Sequence, residues 1–133
     1  MKDKSLQLSA EEKTGNAKYS TIIIKKSKFI SAYFLIDSES EVLAILEALK
    51  KEHKRASHIC FAYVFENCDG AFEKCFDDGE PNGSGGAPIL NIIKRSDKKN
   101  LLVVVIRYFG GIKLGVGGLI RAYANATKLA LNP

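Results

Sequence analysis

The placement of glycine constrains this chain more than any other feature. Nine of its eleven glycines fall between Gly79 and Gly118, four within DDGEPNGSGGAP (residues 77–88) and five within RYFGGIKLGVGGLIRAY (residues 107–123). Glycine loses more backbone freedom on ordering than any other residue. Two dense clusters therefore point to tight turns, unusual backbone angles, or close approach of the backbone to a ligand.

The apolar pattern around the clusters defines an α/β chain. Tyr19 to Ile24 and Lys28 to Ile36 read as two strands broken by Lys25-Lys26-Ser27, a hairpin. Ser38 opens a helix, with Glu41 three residues on as a capping box and Val42, Ile45, Leu46 and Leu49 as one apolar stripe. Lys50, Lys51, Lys54 and Arg55 crowd its end, where the helix dipole favours positive charge. Ile59 to Phe65 is a third strand, Asn67 to Gly70 a turn, and Ala71 to Phe76 a fourth strand. Pro88 to Arg95 fits a short helix with Pro88 at its first position and Ile89, Leu90, Ile92 and Ile93 turned inward.

Leu101 to Ile106 is an unbroken LLVVVI run, typical of a strand covered on both faces. A helix starting near Gly117 closes the chain, with Leu119, Ile120, Tyr123, Ala126, Thr127 and Ala130 near one side. The order ββαββαβα predicts an α/β (α+β) two-layer sandwich, a mixed four- to five-stranded sheet with helices on one side. Residues 1–18 read as a flexible tail, and residues 19–133 as one domain.

Charge and cysteine usage narrow the function classes. The net charge of +5 is compatible with a polyanionic partner such as RNA, though many small soluble domains carry as much for solubility. Cys60, Cys68 and Cys75 form no CxxC pair, and with His53 and His58 they lack zinc spacing, so no zinc site is implied, and neither a metal nor a cofactor is expected. The start carries no apolar signal segment, and no apolar run approaches the ~20 residues of a membrane span. A cytoplasmic location follows as an expectation.

The second glycine cluster has a mechanical reading. A buried strand ends, a glycine-rich loop follows, and a helix N-terminus presents free N–H groups and a partial positive charge. Arg107, Lys113 and Arg121 surround it as phosphate-contacting candidates, with Gly115, Gly117 and Gly118 offering backbone N–H groups. Tyr108 and Phe109 are placed to stack a base or to pack. No GKS or GKT follows, so the loop is not a Walker A motif. The same glycines equally serve tight turns and close helix–sheet packing.

The first cluster places Asp77, Asp78 and Glu80 within four residues. That arrangement suits a solvated acidic turn, a magnesium site, or pairing of Asp77 or Asp78 with Arg107 or Arg121. Ser84 has no histidine-plus-acid partner that would mark it as a nucleophile. His58 lies two residues before Cys60, on one face of a strand, as a hydrogen-bonded structural histidine, a dyad member, or a neighbour of the glycine loops.

These residues resemble the Impact/YigZ family. The resemblance rests on Asp78-Gly79-Glu80-Pro81, on the string from Arg107 to Gly115, on Gly117-Gly118-Leu119-Ile120-Arg121-Ala122-Tyr123, and on Ala56-Ser57-His58-Ile59-Cys60-Phe61-Ala62-Tyr63. It runs from about Ser20 to the end of the chain. It implies the fold of domain IV of elongation factor G, also seen in a small-subunit ribosomal protein and in GHMP kinases. It also implies a place in the regulation of translation, because eukaryotic members compete with a stress kinase of initiation factor 2 for its ribosome-associated activator.

Where the family has Ser-Gly-Thr-Ala-Gly, this chain reads Asn82-Gly83-Ser84-Gly85-Gly86. The family's RWD domain and its ferredoxin-like domain are not read in these residues, so roles carried by those parts do not transfer. The resulting expectation is a non-enzymatic module that binds RNA or a ribosome-associated protein. His58, Asp78, Glu80, Ser84 and Tyr108 would support the binding loops. A protein-interaction domain, or an enzyme acting on a phosphate-bearing small ligand, is the alternative.

Overall fold

A computed structural model describes residues 8–132. Its elements are α1 (Ala10–Asn16), β1 (Ser20–Ile24), β2 (Ser27–Leu35), α2 (Glu39–Glu52), β3 (His58–Asn67), β4 (Gly70–Phe76), α3 (Gly86–Arg95), β5 (Leu101–Tyr108) and α4 (Gly115–Leu131). The strands form one five-stranded sheet in the order β1-β2-β5-β3-β4. The expected α/β class holds, and two details differ from it. Every strand pair is antiparallel rather than mixed, and helices cover both faces rather than one.

Strand alternation explains the second difference. Successive side chains of a strand point to opposite faces. Leu101, Val103 and Val105 of β5, with Phe29, Cys60 and Ala62, pack under α3 and α4. Leu102, Val104 and Ile106, with Phe34, Ile59, Phe61 and Tyr63, pack under the Val42, Ile45, Leu46 and Leu49 stripe of α2. The LLVVVI run is apolar throughout because β5 is central and sandwiched. Fully burying each such side chain contributes about 1.5–3 kcal/mol.

The amino-terminal stretch departs from the expected tail. Residues 1–7 lie outside the described residues, but Ser9 caps α1 with a full capping box, its Oγ accepting from Glu12 N–H while Glu12 accepts from Ser9 N–H. The helix lies on α2, fastened by the Lys13–Glu41 ion pair and by Tyr19 Oη donating to Thr14 C=O at 2.5 Å. The box expected at Ser38 does not form. Glu41 accepts from Asp37 N–H instead, and Ser38 caps α2 without a side-chain hydrogen bond. In α3, Pro88 is the third residue rather than the first, because the helix begins at Gly86.

Two close approaches fix the loops. Lys25 and Lys26 form the β1–β2 turn with φ of +47° and +67°, the left-handed pair that a two-residue hairpin requires. Gly110 rests on that turn, where a Cβ would lie 2.0 Å from the Lys26 carbonyl oxygen. Likewise a Cβ on Gly86 would lie 2.4 Å from the backbone nitrogen of Phe76.

Candidate functional site

The carboxyl end of β5, the start of β3 and the first turn of α4 meet around one cleft. It has a volume of ≈ 420 Å³ and is lined by His58, Glu80, Pro81, Arg107, Phe109, Lys113, Leu114, Gly115, Val116 and Leu119. Thus both glycine clusters contribute to it, Glu80 from the first and Lys113 to Val116 from the second. The walls are apolar, and the polar groups sit at the floor and rim.

The floor is a buried ionic network. Arg107 Nη1 donates to both oxygens of Glu80, at 3.0 and 2.8 Å. Tyr123 Oη donates to Glu80 Oε2, and His58 Nε2 lies 3.5 Å from Glu80 Oε1. The Arg107 guanidinium also lies between the rings of Phe29 and Phe109, 5.6 and 5.4 Å from their centroids. Burial in first place, then Cys60 and Glu80, raises the Tyr123 hydroxyl far above its ordinary range, so it stays a proton donor. Arg107 Nε is buried and has no hydrogen-bond partner among the described residues.

Arg107 is therefore not the open phosphate cation expected from the sequence. It is 5% exposed and its charge is met by Glu80. The reason is positional: residue 107 lies on the α4 face of β5, where alternation turns its side chain into the protein. Residue 108 points the other way. Tyr108 packs under α2 and shares a 2.6 Å hydrogen bond with His53 Nδ1, so it does not line the cleft. Ser84 is also removed from the cleft, being fully buried with its Oγ donating to Pro81 C=O at 2.5 Å.

The acidic turn works on backbone, not on solvent. Asp78 Oδ2 accepts from Ile59 N–H at 2.7 Å, and Asp78 C=O accepts from His58 Nδ1 at 2.8 Å. Asp77 gathers the N–H groups of Gly83, Gly85 and Gly86 at 2.9, 3.1 and 2.8 Å. Burial raises the Asp77 carboxyl, the three N–H donors lower it, and the net shift is downward. The Asp77 carboxylate thereby caps the start of α3, a role that sequence reasoning missed. Its only signal was an acid preceding a glycine run that opens a helix.

The start of α4 is different. Leu114 caps it without a side-chain hydrogen bond, and its first turn holds no acid. Four N–H groups at a helix start have no partner within the helix, and here no side chain of the helix's own cap supplies one. Lys113 stands beside this terminus on the exposed rim. Of the remaining candidates, Gly115 lines the cleft and Gly117 faces Arg121, whose Nη1 would lie 3.4 Å from a Cβ there. Gly118 packs on Leu114. Arg121 opens not into the cleft but into an adjacent depression. Leu114, Val116 and Leu119, which the sequence reading did not place in the site, form the cleft's apolar walls together with Phe109, which it offered for stacking or packing. Among the described residues, no three His, Cys, Asp or Glu side chains are grouped to hold a metal, and no helix is long and apolar enough to cross a membrane.

The chain is thus an α/β domain with an antiparallel sheet and a cleft at a glycine-rich helix start, and comparison with known proteins gives its family. Residues 25–131 match the Impact N-terminal domain, and the chain belongs to that family. It is 45% identical over 111 residues to the IMPACT family member YvyE of Bacillus subtilis, covering 84% of this chain and 51% of that protein. It is 40% identical over 109 residues to the IMPACT family member YigZ of Escherichia coli, covering 81% of this chain and 53% of that protein. The chain thus spans about half the length of these relatives.

Among solved structures, the crystal structure of an hypothetical protein aligns with a TM-score of 0.81 at 37% identity, over 86% of this chain and 56% of that one. The two-domain translational regulator Yih1 shares the fold, with a TM-score of 0.56 at 23% identity over 98% of this chain and 54% of that one.

Proposed function

We propose that this domain is a non-enzymatic, cytoplasmic RNA-binding module that works in association with the translation apparatus. The observation that carries the reading is the uncapped start of α4 beside Lys113, opening onto a cleft walled by Phe109, Leu114 and Val116. A phosphate takes the N–H groups of Gly115 and Gly117, where helix geometry and dipole favour an anion, whereas the Gly118 N–H is used by the first helical bond, to Leu114 C=O. Lys113 supplies the neighbouring charge. Phe109, 49% exposed, offers a ring face on which a base stacks. Arg107 and Glu80 hold the floor rather than the phosphate. That Yih1, which shares this fold, is a translational regulator supports the association with translation.

Catalysis on a small phosphorylated compound is the weaker reading. Its metal would need the acidic turn, and the Asp77 and Asp78 carboxylates are already engaged by backbone N–H groups.

The test is fluorescence anisotropy of a labelled single-stranded RNA across a salt series. Binding should weaken linearly in log–log form, and Lys113→Glu should lower affinity and flatten the slope by about one phosphate contact. Phe109→Ala should weaken binding with the slope unchanged, because stacking releases no counterion. RNA affinity untouched by either substitution would remove the cleft from the interface.

A further inference from the structure

The acids of this chain are distributed unevenly. Residues 17–36 and 98–133 together hold ten lysines and arginines and not one aspartate or glutamate. The fold brings these two stretches side by side, because β2 pairs with β5 and α4 packs across β1 and β2. Of their ten cations, Arg107 is paired with Glu80 and Lys99 with Glu66. Lys25, Lys26, Lys113 and Arg121 have no carboxylate partner among the described residues.

These four sit along one path. Lys25 and Arg121 line a single depression of ≈ 220 Å³ together with Ile24, Leu114, Gly118 and Asn125. Leu114 is shared with the cleft that Lys113 rims, so the two hollows lie on either side of one side chain. The hairpin tip bearing Lys25 and Lys26 is fixed to the loop by Gly110. The Gly110 N–H also donates to Ser27 Oγ at 3.2 Å. Two lysines occupy the left-handed turn positions that asparagine and glycine ordinarily fill. Neither lysine suits that backbone, and neither is held there by an ion pair.

We infer that the β1–β2 hairpin tip is a second arm of the RNA interface, with Lys25, Lys26 and Arg121 carrying the phosphate backbone away from the cleft across the first turns of α4. The inference rests on the RNA-binding reading of the cleft. It extends the site from a helix terminus to a track that spans both sides of Leu114. The ligand class follows from the charge along this path: the depression at Lys25 and Arg121 is lined by no acid, and the cleft's one carboxylate, Glu80, is met by Arg107, so a polyanion with regularly spaced charges meets no unpaired acid among these lining residues.

The probe is a labelled mixed-sequence single-stranded RNA titrated with the full chain between 50 and 300 mM salt. Lys25→Asn/Lys26→Asn removes both charges while supplying a residue that accepts positive φ, so the turn is kept. Affinity at the lower salt should fall about tenfold, and the log–log salt slope should lose about two. Arg121→Gln should cost the slope about one more. Hairpin variants that bind like the parent, while Lys113→Glu binds weakly, would overturn the second arm and leave the cleft reading standing. A parent with no salt-dependent RNA binding would end both readings. Binding of poly-glutamate as tight as that of RNA would overturn RNA as the occupant.

Discussion

Arg107 and Glu80, 27 residues apart in the chain, meet inside the protein through a single guanidinium nitrogen that donates to both carboxylate oxygens. The pair ties the central strand to the first glycine loop, and Tyr123 ties it to α4. Removing one partner of a buried ion pair strands the other charge and costs about 3–5 kcal/mol. Glu80→Ala should therefore lower the urea midpoint sharply. Glu80→Leu/Arg107→Met should be milder than Glu80→Ala alone, since neither charge then remains. A double variant as unstable as the sum of the two singles would show that the pair is not coupled.

Asp77 predicts an acid response. Its carboxyl is held below its ordinary value of 3.8 in the folded protein. A depressed folded value contributes stability that is present above the unfolded value and lost as pH falls toward the folded one. Urea midpoints between pH 5 and pH 2.5 should thus decline less steeply in Asp77→Asn than in the parent. Parallel profiles for the two proteins would mean that the three glycine N–H groups do not favour the ionised form.

The two neighbouring glycines of the 107–123 segment should respond differently to alanine. Gly110→Ala drives a methyl into the Lys26 carbonyl. The hairpin must move, at about 3 kcal/mol, the upper end of the usual cost of overpacking. Gly111→Ala meets nothing within 4 Å, yet takes a φ of +91°. It should cost about 1 kcal/mol from backbone strain alone. Equal melting temperatures for the two variants would contradict the close contact.

The three cysteines should separate by reactivity. Cys60 is fully buried, and burial foremost raises its thiol to about 12. Cys68 and Cys75 are exposed, with burial foremost raising Cys75 above its ordinary value. A thiol reagent at pH 8 should label two groups in the native chain, Cys68 faster than Cys75, and a third only in denaturant. Native labelling of all three would indicate that β3 opens readily.

The local elements were largely legible in the sequence because each rests on short-range chemistry. The α2 stripe, the LLVVVI strand and the hairpin at Lys25 follow from apolar periodicity and, for the hairpin, from a polar break between two apolar runs. Capping was less legible, since Ser38 with Glu41 and Ser9 with Glu12 satisfy the same spacing and only the second pair forms the box. Glu41 is engaged elsewhere, by Asp37 N–H and by Lys13 across 28 residues, neither of which the spacing records.

The site was legible as a region but not as a set of roles. Glycines and basic residues marked the loops. Strand parity then decided which neighbour turned inward, sending Arg107 to Glu80 and Tyr108 to His53. Asp77 was legible as an acid and illegible as a cap, because its three partners are backbone groups that no side-chain pattern records.

The strand order carries a consequence for synthesis. β1 pairs with β2 and β3 with β4, but the two hairpins share no ladder of their own; each joins the sheet only through β5. A chain emerging from its amino terminus therefore holds two separate hairpins with open inner edges until residues 101–108 appear. The last strand to be made is the keystone between them, and the arrest of elongation just before Leu101 would leave both edges available to any extended segment nearby.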